Sequence, residues 1–159
     1  MKTVERPKRD KKGFQLRKLS FEPYKYTEDN MNLVMGLIRN NLTPDLLSTR
    51  YRPENVTNSM YGHCYHSTQA LYYLMDTDLL IPMSGIDYRD DYHWWLQDGD
   101  KIYDVTAEQY YSVGQQPPYK NGKKSKWYGW GQRPHQRSLD LIVRVLGKEN
   151  VVDTLETVT

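Results

Sequence analysis

The sequence predicts an α+β protein: a small antiparallel sheet packed against a cysteine-bearing helix, with additional N- and C-terminal helices. Three observations predict it. Met31, Val34, Met35 and Ile38, and again Leu139, Ile142, Val143 and Leu146, recur at the spacing that gathers apolar side chains on one helix face. Residues 92–97 and 101–105 read as extended segments joined by Asp98-Gly99-Asp100, a hairpin signal. Upstream of the hairpin, residues 64–75 present Ala70, Leu71, Leu74 and Met75 as the inner face of a helix that begins at the chain's single cysteine. The 159 residues suffice for one domain with one core. Residues 1–18 read as a basic flexible arm and residues 19–159 as a single α+β domain.

Taken in order, the arm shows no apolar periodicity around Lys8-Arg9-Asp10-Lys11-Lys12. Residues 21–26 form a short extended approach. Thr27 caps the first helix, Glu28 and Asp29 suit the positive end of its dipole, and Asn40-Asn41 ends it. Thr43-Pro44-Asp45 opens a second, short helix anchored by Leu46 and Leu47. Residues 48–60 are a polar loop leading into Gly62-His63-Cys64, in which Asn55 and Asn58 serve either as turn residues or as oxyanion donors. Beyond the Cys64 helix, residues 79–83 are extended, with Pro82 arguing for an edge or a strand end. Residues 87–91 make a charged connection into the hairpin, and Thr106 caps a short helix after it. Residues 112–133 are a long loop rich in Gly, Pro, Gln and Lys. Pro134 starts the last strong helix and Gly147 stops it. Residues 148–159 add a frayed helical turn carrying Val151, Val152 and Leu155.

The net charge of +2 hides an asymmetry: residues 1–18 carry +6, residues 19–119 carry −8 and residues 120–137 carry +6. Basic blocks flanking an acidic centre suit self-pairing or an anionic ligand, and the arm suits nucleic-acid contact. The 14 Tyr against 2 Phe suit a ligand-lined groove as well as a core. Mean hydropathy is −0.85 and no apolar run is long enough to span a membrane. With one Cys and no apolar signal segment, a reducing cytoplasmic setting is expected, with no membrane and no cofactor.

The chemistry centres on Cys64. A thiol becomes a useful nucleophile at a helix N-terminus or beside an imidazolium. His93 opens the first hairpin strand. With a turn centred on Asp98-Gly99, His93 falls opposite Asp104, on the same face. Asp104 then holds one His93 nitrogen while the other meets Cys64, the orienting role of a triad. The catalytic candidates are therefore Cys64, His93 and Asp104, with His63 and His66, which flank the thiol, as alternative partners. The competing readings are a buried Cys64 that serves only as a small hydrophobe and, less suited by its spacing, a zinc site from Cys64, His66 and His93; no metal is expected.

Cysteine at a helix start, then a histidine strand, then an aspartate strand resembles the papain-like cysteine hydrolases in the wide sense, and most of all their transglutaminase-like branch. Gly62-His63-Cys64-Tyr65 resembles that branch's small-residue, Cys, aromatic pattern. His93-Trp94-Trp95-Leu96 and Ile102-Tyr103-Asp104-Val105-Thr106 resemble its His-strand and Asp-strand ending. The overall look is also similar to small proteins of bacteriophage genomes. The resemblance implies attack by Cys64 on an amide or thioester of a small-molecule or peptide substrate, by hydrolysis or acyl transfer, in the host cytoplasm if the chain is phage-encoded.

A rival reading rests on residues 120–137, where cations alternate with aromatics, a pattern that suits phosphate binding plus base stacking. Its candidate ligand-binding residues are Lys123, Lys124, Lys126, Trp127, Tyr128, Trp130 and Arg133, with Trp95. The ligand would be an anionic nucleotide signal, such as a cyclic dinucleotide or an ADP-ribose derivative, bound or cleaved to block host defence without thiol chemistry.

Overall fold

The computed structural model describes residues 1–10 and 13–158; of Asp10, Trp130 and Val158 it describes the backbone alone. It is an α+β fold with three sheets among the described residues. Strands β1 (Lys2–Asp10) and β2 (Gly13–Phe21) form an antiparallel hairpin, and β9 (Val152–Val158) pairs with the far side of β2. Two-residue strands β3 (Tyr24–Lys25) and β4 (Met75–Asp76) pair in parallel. The third sheet has the order β7-β6-β5-β8, from β5 (Ile81–Ile86), β6 (Tyr92–Asp98), β7 (Lys101–Tyr103) and β8 (Lys123–Lys124). The helices are α1 (Glu28–Asn40), the single turn α2 (Arg52–Asn55), α3 (Cys64–Leu74), the single turn α4 (Glu108–Tyr111) and α5 (Gln136–Leu146).

Helix α3 is the hub. Ala70, Leu71 and Leu74 are fully buried on it, and the same cluster takes in Met31, Val34 and Ile38 of α1, Leu139 and Ile142 of α5, and Trp94 and Leu96 of β6. The small residues on its other face serve docking. The Thr68 hydroxyl lies 2.6 Å from Cys64 O and 3.1 Å from Trp94 O, bridging helix and strand. The Cys64 thiol points at Tyr92 O, 3.8 Å away. Carbonyls two residues apart face the same edge of a strand. The helix start thus lies along the edge of β6 that β7, paired only as far as Leu96, leaves uncovered.

Expected elements recur with their expected causes. The Thr27 hydroxyl accepts from Asn30 N–H at the start of α1, Asn41 ends it, and Met31, Val34, Met35 and Ile38 are its buried face. Pro44–Leu46 is one 3-10 turn whose Leu46 is buried beside Leu47. Pro82 sits near the start of β5, where β8 pairs only Met83 and Ser84.

The two chain ends require correction. The segment expected to be a flexible basic arm is strand over most of its described residues, and the tail expected to be a helical turn makes one 3-10 turn at Lys148–Asn150 and then continues as strand. Leu19 and Phe21 alternate into the core, and Val4, directly opposite Leu19, joins them. The basic side chains occupy the remaining strand positions and are put to use. Arg17 donates to both Asp140 on α5 and Asp153 on β9, and Arg6 donates to Pro134 O at 2.9 Å. Lys2, Arg6 and Arg17 share the inward parity of Val4, Leu19 and Phe21, and these charges conceal the period of two. The third strand comes from the other end of the sequence, which no local pattern announces.

Candidate functional site

The turn before α3 is built to present Cys64. Asn55 Nδ2 donates to the carbonyls of Asn58, Ser59 and Tyr61, and Asn58 Nδ2 donates to Gln109 O. Both asparagines hold the loop, and neither lines the cleft beside Cys64. Gly62 follows at φ +85°, a left-handed value, and a Cβ there would stand 2.8 Å from Tyr51 Cβ. Helix α3 then starts with no side-chain cap at His63, so its first amides have no partner from a capping residue. Cys64 is half-buried and lines a cleft of about 470 Å³.

His93 and Asp104 are brought together. His93 is fully buried, and its Nε2 lies 2.7 Å from Asp104 Oδ2, whose side chain is 3% exposed. The expected register is off by one pair of positions. The loop is Gly99-Asp100, Leu96 pairs with Tyr103, and Asp104 lies one residue past the end of β7, level with Trp95 rather than with His93. A shift of two residues preserves the face, so the contact forms on the diagonal. Two groups that the sequence did not connect with Asp104 hold it in place. The Tyr119 hydroxyl donates to Asp104 Oδ2 at 2.7 Å, and Thr106 N–H donates to Oδ1 at 3.2 Å. The His93 ring packs edge-on against Tyr110, whose hydroxyl donates to Asp87.

Electrostatics separates this histidine from the others. Burial alone pushes an imidazole down. For His93, Asp104 reverses that by charge and hydrogen bond, and Cys64 adds to the reversal, so the group is raised to about 10. Nε2 is taken by Asp104, so the influence of Cys64 arrives through Nδ1, which makes no aligned hydrogen bond of its own.

His63 and His66 are instead bonded to each other, Nδ1 to Nε2, at 2.7 Å, and both are buried. Burial pushes His63 down to about 4. Burial, then His63, Arg137 and His135, pushes His66 well below its ordinary value. Both rings are neutral near neutral pH and neither supplies a cation to the thiol. Among the described residues no three His, Cys, Asp or Glu side chains gather as they would around a metal ion.

The aromatic basic loop is dispersed. Lys123 and Lys124 are exposed on β8, and Lys126 is exposed outside the cleft. Trp127 is buried and stacks on Trp94, with ring centres 5.4 Å apart. Trp95 is fully buried against Tyr119 and Gly122, where a Cβ would come within 2.6 Å of its ring. The Trp130 side chain lies outside the described residues. From this set Tyr128 and Arg133 line the cleft with Cys64. Tyr128 stacks on Tyr65 at 4.9 Å and donates its N–H to the Tyr65 hydroxyl. The remaining walls come from places the sequence did not connect: Arg6 of β1, Arg50, the turn at Asp87–Asp91, and His135 and Arg137 at the start of α5.

Comparison with protein-family models, with curated proteins and with solved structures finds no match of any of the three kinds.

Proposed function

We propose that this chain is a cysteine-dependent hydrolase or acyl transferase of papain-like or transglutaminase-like type, acting on an amide or thioester bond. One observation carries the reading: His93 commits Nε2 to a buried carboxylate and leaves Nδ1 without a partner, and the thiol that helps raise this ring's pKa lines a cleft. An imidazolium held in place is the charge a reactive thiolate needs beside it.

In this reading Cys64 Sγ attacks the substrate carbonyl carbon. The carbonyl's electron pair moves to oxygen and is met by amides of the uncapped α3 start. The His93 Nδ1 proton passes to the leaving amine or thiol as its bond to carbon breaks. That leaves a thioester on Cys64 and a neutral imidazole. His93 then takes a proton from water, or from an acceptor amine, which displaces the sulfur. Asp104 keeps the ring oriented throughout.

Incubation with p-nitrophenyl acetate tests this. The expected result is an acetyl group on Cys64 by intact-mass spectrometry, with nitrophenol released by the wild type and not by Cys64→Ala. Equal release by Cys64→Ala refutes it.

A second reading is that the cleft binds an anionic nucleotide, such as a cyclic dinucleotide or an ADP-ribose derivative, without thiol chemistry. The stacked Tyr65–Tyr128 pair beside Arg133 supports it. A thermal-shift screen checks it: stabilisation that persists in Cys64→Ala favours this reading, and no shift at saturating ligand removes it.

A further inference from the structure

The cleft beside Cys64 is electrically lopsided. Its acidic rim, Asp87, Asp90 and Asp91, lies on one side, and two of the three are engaged. Asp91 pairs with Arg50 at 3.1 Å, and Asp87 accepts from the Tyr110 hydroxyl and from the N–H groups of Arg89 and Asp91. The opposite wall gathers Arg6, Arg133, His135 and Arg137, with His66 beside them. Arg6 donates to a carbonyl, Pro134 O, and among the described residues neither Arg6 nor Arg137 has a carboxylate partner. Both are half-buried. Half-buried cations without a counter-charge are costly unless something anionic visits them.

The fold concentrates this charge deliberately. Gln69 of α3 accepts from His135 N–H and from the Ser138 hydroxyl, both at 2.7 Å, which pins the start of α5 against α3. Two helix starts, those of α3 and α5, consequently contribute to one cleft. Arg6 is delivered from β1 to the same place through Pro134. The basic side chains also register one another: His135 is held down by burial and then by Arg137 and Arg6. An anion would relieve that mutual repulsion.

We propose that the Arg6–His135–Arg137 wall is an anion subsite that holds a carboxylate or phosphate group of the acyl substrate while Cys64 attacks its carbonyl. The proposal rests on the thiol chemistry above and names the substrate class for it: an acyl compound with an oxyanion substituent within one cleft's length of the scissile bond. Substrates carrying an ammonium group in that place are excluded by the same charges.

Two alkylating reagents of nearly equal size read the subsite without knowledge of the substrate: anionic iodoacetate and neutral iodoacetamide. The quantity is the ratio of their second-order rate constants at Cys64, relative to the same ratio for free cysteine. The expected ratio favours iodoacetate in the wild type, falls about fivefold or more in Arg6→Gln and in Arg137→Gln, and is kept by Arg137→Lys. Lys148→Gln, an exposed cation outside the cleft, leaves it unchanged. Inorganic phosphate is expected to slow iodoacetate more than iodoacetamide. If iodoacetamide reacts faster than with free cysteine but the ratio is the same in Arg6→Gln and Arg137→Gln as in the wild type, the subsite is wrong and the thiol chemistry stands. If neither reagent outpaces its reaction with free cysteine, the thiol chemistry fails and the subsite with it.

Discussion

Two histidine pairs flank Cys64, and they have opposite fates. His93 with Asp104 and His63 with His66 are both bonded at 2.7 Å, and all three imidazoles are buried. Yet His93 is driven up to about 10 and His63 down to about 4. Burial is common to both, so it does not decide. The partner does: a carboxylate repays the desolvation of an imidazolium, and a second imidazole cannot. One neighbourhood therefore favours the cation at His93 and the neutral rings at His63 and His66. That division is why His93 is the histidine proposed for acid–base work.

The sharpest way to break the contrast is Asp104→Asn. It leaves the shape and removes the charge, so His93 should behave like His63. By ring-nitrogen NMR its pKa is expected to fall from about 10 to below 6.5. Iodoacetamide alkylation of Cys64 should slow by ~10²-fold or more. An unchanged titration would show that something other than Asp104 holds the proton.

The next largest effect is on stability against pH. His63 has its folded pKa below its unfolded value of 6.5, so its contribution is present above 6.5 and is lost as pH falls through about 4. His93 has its folded pKa above 6.5, so its contribution is present below 6.5 and is lost as pH rises through about 10. Urea unfolding should therefore show both an acid and an alkaline limb. His63→Gln should flatten the acid limb alone, by on the order of 3 kcal/mol. Asp104→Asn should flatten the alkaline limb and, with His93 then depressed, steepen the acid one. A single mutation that flattens both would contradict independent pairs.

The smallest effect concerns Tyr119, which shares Asp104 Oδ2 with His93. Tyr119→Phe removes one donor and should cost ~1 kcal/mol in stability and less than ~10-fold in alkylation rate. A loss as large as that of Asp104→Asn would make Tyr119 part of the reacting group itself.

Much of this contrast could be read before the fold was known, and part could not. Helices α1 and α5 announce themselves by period and by caps, and α3 by its apolar face, because these signals are local. The His93–Asp104 contact follows from hairpin parity, and it survives a register error because the shift is an even number of residues. His63 and His66 stand three apart at a helix start, so their pairing was also open to inference. Tyr119, Arg6, His135 and Arg137 carry no such signal. They reach the site from separate loops and from a strand whose lysines and arginines look like a tail. Trp95 and Trp127 mislead in the opposite sense: beside lysines they read as a stacking surface, yet both fill slots in the interior.

The most direct test of a thiol activated by His93 is the rate of Cys64 alkylation by iodoacetamide near pH ~6, where free cysteine is almost wholly protonated. The wild type is expected to react faster than free cysteine, and His93→Gln to lose that advantage by ~10²-fold. Equal rates for wild type and His93→Gln would make Cys64 a packing residue at the cleft wall and contradict the proposed chemistry.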